Sequence, residues 1–294
     1  MRKLSNSKKY GITGWLFLLP AAILICFMSF RPIFQAFIIS LKSGIGNNME
    51  FAGEYNYLRM LLDKTLHTAI MNTLVYMLQV PIMLGLALWL ATLLNEKGLR
   101  FKGLFRILLF VPCATASVSY SLVFRIMFAA DGMINTFLVK SGILQTGYNF
   151  FGHPWSARMI ILLALIWRWT GYNMVFLLAA LQNIDEGIYE SAILDGASRL
   201  QIFTKITIPL IKPTLILLMI MTVNGSIQLY DESVNLTGGG PANTTLSISH
   251  YIYNLSFQYT PNFGYSTAIS FVIFVVVAIL SLIQMKVGDK RDLT

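Results

Sequence analysis

The sequence predicts an all-α integral membrane protein with six transmembrane helices and both termini cytoplasmic. Three observations carry that prediction. Charge is too scarce for a surface in water, six apolar runs approach or exceed the length of a membrane crossing, and basic residues gather on one side of those runs. Charged residues make up 12% and apolar residues 56% of the 294 positions, and mean hydropathy is +0.66. A soluble domain carries roughly 25% charge, so lipid must be the solvent for much of this chain. The same composition excludes a disordered chain, and two cysteines cannot form a disulfide scaffold. Cys26 and Cys113 lie inside apolar runs and read as small buried hydrophobes. A transmembrane barrel would show ten-residue alternation instead of continuous runs.

A helix needs about 20 apolar residues to cross the hydrocarbon at roughly 1.5 Å per residue. Residues 1–11 form a short basic tail, and 12–41 read as the first span, free of charge up to Phe30 and continuing past Arg31 and Pro32. An external loop, 42–65, leads into a core over 66–286. Its five spans are placed at about 71–94, 104–128, 159–181, 214–230 and 265–285, with a polar connection at 183–212 and a tail at 287–294. The fourth is apolar except for Arg168, and the fifth is the most polar, with Asn224, Ser226 and Gln228 in its second half. Fourteen basic residues border one face of this topology, among them Arg2, Lys97, Arg100, Lys205, Lys290 and Arg291, against five on the other. The positive-inside rule places the richer face in the cytoplasm. The basic start also resembles a signal peptide, but the apolar run is too long and no small-x-small cleavage site follows it, so an uncleaved span is expected.

The net charge of +9 is accounted for at these membrane borders, leaving no basis for nucleic-acid binding. No Gly-Lys pair occurs, so a P-loop cannot form. His67, His153 and His250 are scattered, without the spacing of a metal site, and no catalytic motif is present. Asp131, Asp231 and Glu232 fall at span ends, leaving no intramembrane carboxylate for a proton relay. The chain reads as a path whose motor lies elsewhere.

The 183–212 connection is too polar to cross and too patterned for a floppy loop. Asp185 and Glu186 open a helix at its positive dipole end, Gly196 permits a close turn, and Pro209 and Pro213 end a second short helix and launch the fifth span. Glu190-Ser191-Ala192, Asp195-Gly196-Ala197, Phe203, Ile206 and Pro209 resemble the EAA loop of ABC-importer permeases, whose pattern is E-A-A-x-x-D-G-A, a spacer, then I-x-L-P. Ser191 and Ile208 are mild departures. Thr237 to Thr245 (TGGGPANTT), Trp167 to Asn173 (WRWTGYN), Ala180-Leu181-Gln182 and Leu109 to Pro112 are similar to segments of carbohydrate-uptake permeases of the maltose, lactose, raffinose and glycerol-phosphate type. The likeness extends from Leu66 to Met285.

That resemblance implies a type-1 ABC importer permease in a bacterial inner or cytoplasmic membrane. It implies four kinds of partner besides the bilayer: a second homologous permease, two ABC ATPase subunits, an extracellular or periplasmic sugar-binding protein, and the sugar. ATP and Mg would sit on the ATPases, and this chain would bind no cofactor or metal. The EAA helix would couple ATPase closure to rocking of the spans, with Glu190, Ser191, Ala192, Asp195, Gly196 and Ala197 at the contact.

A sugar needs hydrogen-bond partners for its hydroxyls and an aromatic face for its C–H surface. The residues expected to line its path are Tyr120 in the third span and Trp167, Arg168, Trp169, Tyr172 and Asn173 in the fourth. Asn224, Ser226, Gln228, Tyr230 and Asp231 in and after the fifth complete the set. Interhelical hydrogen bonding is the plainer role for any one of them. Arg168 needs compensation for its mid-span charge, either from a structural pair or from an acidic sugar. The rival reading is a stand-alone secondary transporter; the lack of buried carboxylates and of a repeat partner argues against it.

Overall fold

The computed structural model describes residues 3–46, 48–96 and 98–289; Arg2, Lys97, Lys290 and Arg291 of the orientation set lie outside the described residues. The chain opens with α1 (Lys3–Ile25), a π turn (Cys26–Phe30) and α2 (Arg31–Ser40). A hairpin of β1 (Lys42–Ile45) and β2 (Asn48–Phe51) follows, then α3 (Tyr55–Leu62), α4 (Lys64–Met77), α5 (Gln79–Asn95), α6 (Lys102–Ala114), α7 (Ser117–Met127), α8 (Met133–Lys140) and α9 (Pro154–Gln182). Beyond these lie α10 (Glu186–Leu194), α11 (Arg199–Ile202), α12 (Ile208–Ile227), α13 (Ile248–Tyr253) and α14 (Phe263–Asp289). Among the described residues, five helices are long and apolar enough to cross a membrane: 14–40, 64–95, 154–182, 199–227 and 263–286. The α6–α7 pair makes a sixth if counted as one broken span.

Four expectations are corrected or refined. The third run is not one helix: α6 and α7 meet at 97° across Thr115 and Ala116. Pro112 lacks the N–H of a helical residue, Thr115 turns its hydroxyl back to the Val111 carbonyl at 3.0 Å, and both break residues are extended. The run is apolar throughout, so hydropathy alone sees no interruption. Pro209 does not end the second loop helix either, because 199–227 is one continuous helix. Its π turn (Phe203–Thr207), with the Ile208 N–H donating to the Phe203 carbonyl, widens the backbone where the proline ring would crowd the preceding turn. The segment 42–65 carries the antiparallel β1–β2 hairpin, paired from Lys42↔Phe51 to Ile45↔Asn48, and α3. Cys26, expected in a core, is exposed, as is the first span from Gly14 to Gln35. Such a face is stable only against lipid or another protein.

The chain divides into two compact units. One runs to Asp63 and returns over Ile252–Val276. There Asn56 is fully buried and donates to the Ser40 and Lys42 carbonyls at 2.8 and 2.7 Å. The Arg59 guanidinium lies 4.1 Å over the Tyr265 ring, whose hydroxyl donates to Asp63 at 2.7 Å.

The second unit holds Lys64–Tyr251 and the chain from Val277 onward. Its spine is α9, against which α5 and α6 pack. Gly171 makes the α6 contact possible: a Cβ there would sit 1.7 Å from the Leu109 carbonyl oxygen. Small residues that admit a neighbouring backbone are the usual solution where lipid offers no hydrophobic drive between helices. The loop 238–246 is irregular yet partly buried, so its carbonyls need donors. Asn72 donates to Asn243 and Leu246 at 3.1 and 2.9 Å, Arg158 to Thr244 at 2.8 Å, and Tyr76 and Ser233 to Thr245 at 2.9 and 2.8 Å. Arg158 also donates to the Asn72 side-chain oxygen, which fixes the amide's orientation. His250 meets Ser233 at 2.9 Å, and burial pushes its pKa below the ordinary 6.5.

Gly171→Ala is expected to lower stability by about 1–3 kcal/mol or more through overpacking. Gly85→Ala in α5, where an added Cβ meets nothing within 4 Å, is expected to gain about 0.5–1 kcal/mol. Thermal unfolding of the purified variants checks both. Because unfolded His250 binds its proton more readily than the folded form, its contribution is complete above pH 6.5 and falls away as pH drops below that value. His250→Gln should flatten that acid limb of the stability curve.

Candidate functional site

The second unit contains a cavity of about 750 Å³ between the middle of α9, the start of α5 and the C-terminal half of α12 with the chain that follows it. Leu165, Arg168, Trp169, Tyr172 and Asn173 line it from α9, at the three- and four-residue intervals that place side chains on one helix face. Gln79 faces it from α5; Met221, Thr222, Gly225, Ser226 and then Gln228 to Glu232 complete the wall. Eight of the eleven residues expected on a path meet here: Arg168, Trp169, Tyr172, Asn173, Ser226, Gln228, Tyr230 and Asp231.

Three do not. Tyr120 and Trp167 line a separate cavity of about 410 Å³, walled mainly by apolar side chains of α7 and α9. Their rings stand 6.3 Å apart. Asn224 points elsewhere and donates to Ser281 at 3.4 Å. Of the seven lining residues that escaped the sequence reading, Gln79 and Glu232 bring an amide and a carboxylate to the wall. Gln79 is a single amide in an apolar run; its nitrogen donates to Ser226 at 3.0 Å, while its buried carbonyl oxygen has no partner among the described residues. Glu232 was set aside as a span-end carboxylate, but its side chain is only 6% exposed. The signal that could have found it is Arg168, a mid-span cation that requires an anion.

Arg168 and Glu232 form an ion pair at 3.3 Å within this one chain. Tyr120 donates to the same carboxylate oxygen at 2.5 Å. A second guanidinium nitrogen reaches the Thr115 carbonyl at 3.5 Å, one of the groups freed where the α6–α7 span breaks. The Tyr120 and Trp169 rings lie 4.6 and 5.3 Å from the guanidinium carbon. Opposite charge, hydrogen bonds and cation–π contact together offset the roughly 2.5–3.5 kcal/mol insertion cost of such an arginine. The cavity therefore presents amides, hydroxyls, two carboxylates and aromatic rings, among which Trp169 and Tyr172 stand edge to face at 5.8 Å. This mixture suits a polyol with alternating hydroxyl and C–H faces.

The 183–212 connection forms a second surface. Asp185 caps α10 by accepting from the Gly187 N–H at 2.8 Å. At the other end the Ala197 N–H reaches the Ala192 carbonyl and the Gly196 N–H reaches that of Ile193, both at 3.0 Å, with Gly196 at φ +79°. This is a Schellman closure, and it requires a left-handed residue at position 196. The small Ala192 and Ala197 meet across it, while Glu190, Ser191 and Asp195 are exposed. Ser198 and Gln201 form a capping box that starts the next helix. Ile193, Leu194 (88% exposed) and Leu200 stand uncovered beside the turn.

Residues 83–291 match the family model described as "Binding-protein-dependent transport system inner membrane component". The lactose transport system permease protein LacF of Rhizobium radiobacter is 42% identical, covering 98% of this chain and 97% of that protein. The arabinooligosaccharides permease AraP of Halalkalibacterium halodurans is 32% identical, over 95% of this chain and 88% of its own length. The trehalose/maltose permease MalF of Thermococcus litoralis is also 32% identical, over 95% and 94%. The fold is shared with a chain in the crystal structure of a bacterial ABC transporter involved in the import of the acidic polysaccharide alginate, with TM-score 0.82, 23% identity and 99% of both chains covered. With over two thirds of its length inside that family model and near full-length likeness to these permeases, the chain belongs to the binding-protein-dependent transport system inner membrane components and is a multi-pass permease subunit of a bacterial ABC importer.

Proposed function

We propose that this chain encloses a path for a saccharide and works in a heteromeric complex with a second homologous permease, two ABC ATPases and an external or periplasmic sugar-binding protein. The observation that carries the saccharide assignment is the convergence of Trp169, Tyr172, Asn173, Gln79, Ser226 and Gln228 on one cavity. The names of the lactose, arabinooligosaccharide and trehalose/maltose permeases it resembles support the same substrate class. Both termini face the cytoplasm in this reading, as the basic borders require. ATP and Mg bind the ATPases, and this chain contributes no catalytic group.

The capped turn between α10 and α11 is the contact to the ATPase. A Schellman closure with exposed Ile193, Leu194 and Leu200 beside Glu190 and Asp195 suits a groove with an apolar floor and a basic rim. ATP and saccharide each favour one state of the spans, and this turn joins the two equilibria. Purification in mild detergent through a tag on this chain, with native mass spectrometry, tests the assembly. One different permease and two ATPase copies are expected; a chain that transports alone in vesicles would overturn the proposal.

Gly196→Val forces a β-branched residue into a left-handed conformation and is expected to weaken coupling by roughly 5–150-fold, the span of typical coupling energies. Substrate-stimulated ATPase activity measures it, with complex assembly as the control. Arg168→Gln strands the buried Glu232 carboxylate and should lower stability by about 3–5 kcal/mol, depressing uptake of neutral and acidic sugars alike. A loss confined to acidic sugars in an uptake assay would instead assign Arg168 to the substrate.

A further inference from the structure

We infer that the α9–α12 cavity selects uncharged saccharides and rejects uronic or other acidic ones, with Asp231 and Glu232 as the discriminating residues. The inference deepens the saccharide reading and rests on it. Three charged side chains line the cavity: Arg168, Asp231 and Glu232, one cation against two anions.

The cation is already engaged. Its side chain is 12% exposed, two of its nitrogens are directed at Glu232 and the Thr115 carbonyl, and two aromatic rings lie beside its planar group. A substrate carboxylate that took the place of Glu232 on Arg168 would leave that buried carboxylate without its cation, a strongly unfavourable arrangement, and one that approached the free Nε would meet a guanidinium whose charge Glu232 already balances. Asp231 is exposed on the wall and, among the described residues, has no ion pair. A second carboxylate about 6 Å from it, at an effective dielectric of about 40, would bind about tenfold more weakly than its neutral counterpart.

The neutral polar groups point the other way. The buried Gln79 carbonyl oxygen and the Arg168 Nε have no hydrogen-bond partner among the described residues. One is an acceptor and the other a donor, and a single sugar hydroxyl can serve either. The cavity thus offers hydroxyl recognition without a free positive charge.

The test uses the complete importer in nanodiscs without binding protein or ATP, so that only the membrane path selects. Saturation-transfer NMR compares lactose, maltose, trehalose and raffinose with their 6-uronate derivatives and the methyl esters of those uronates. The expected result is binding of at least one neutral sugar about tenfold or more above its uronate, with the ester restoring affinity because shape is kept and charge removed. Asp231→Asn should narrow the neutral-to-uronate affinity ratio, and Asp231→Lys should narrow it further or invert it. A uronate that binds the wild-type complex as well as its neutral parent overturns the charge selection and leaves the saccharide path standing. If no saccharide binds, neutral or charged, the path reading and this inference fall together.

Discussion

Buried backbone that belongs to no helix must find its hydrogen bonds elsewhere, and in this chain the loop 238–246 makes that demand most acutely. Glycines and positive φ angles at Gly238, Gly239, Ala242 and Asn243 curl the backbone so that its carbonyls turn inward. Water would satisfy them in a soluble protein; near lipid the donors must come from the protein. Asn72 and Tyr76 of α4, Arg158 of α9 and Ser233 supply them. Ser233 is thereby fixed, and its neighbour Glu232 is held where it meets Arg168.

The ion pair extends the same logic to the wall of the cavity. Arg168 sits on α9, Glu232 follows α12, Tyr120 belongs to α7, and Thr115 lies at the break between α6 and α7. Four pieces of chain thus share one guanidinium or its counter-ion. A polar cluster of this kind adds little net stability over a well-packed apolar core. It does specify one register, since sliding any element by a turn would leave a buried charge or carbonyl unpaired. The cavity inherits that register, because Trp169, Tyr172 and Asn173 are carried by the same stretch of α9 as Arg168.

Much of the chain was legible because the relevant physics is local. Apolar run length located the helices, and the D-G-A triplet encoded a left-handed cap whose hydrogen bonds the structure supplies at Ala192 and Ile193. The aromatic and amide residues of α9 stood at intervals that any helix brings to one face. What stayed hidden depended on backbone path or on distant partners. The break at Thr115 is silent in hydropathy, since both halves are apolar. Continuity through Pro209 relies on a π turn that no composition records. Tyr120 on α7 and Trp167 on α9 carried the chemistry expected of a path, yet both line the separate apolar cavity. Glu232 reads from the sequence as a span-end carboxylate, and the folded loop returns it to the arginine.

The broken span also explains why the arginine belongs where it is. A right-angle break at Thr115–Ala116 removes the helical partners of nearby carbonyls, and an apolar neighbour could not replace them. A long, permanently charged side chain from α9 can reach that gap and still keep its counter-ion on the far side. Lysine would offer a single point charge and could not meet a carbonyl, a carboxylate and two ring faces at once. The glutamate then neutralises what the broken backbone cannot, and the tyrosine donates to the glutamate. The charge at the cavity wall is therefore a consequence of how the third span is built.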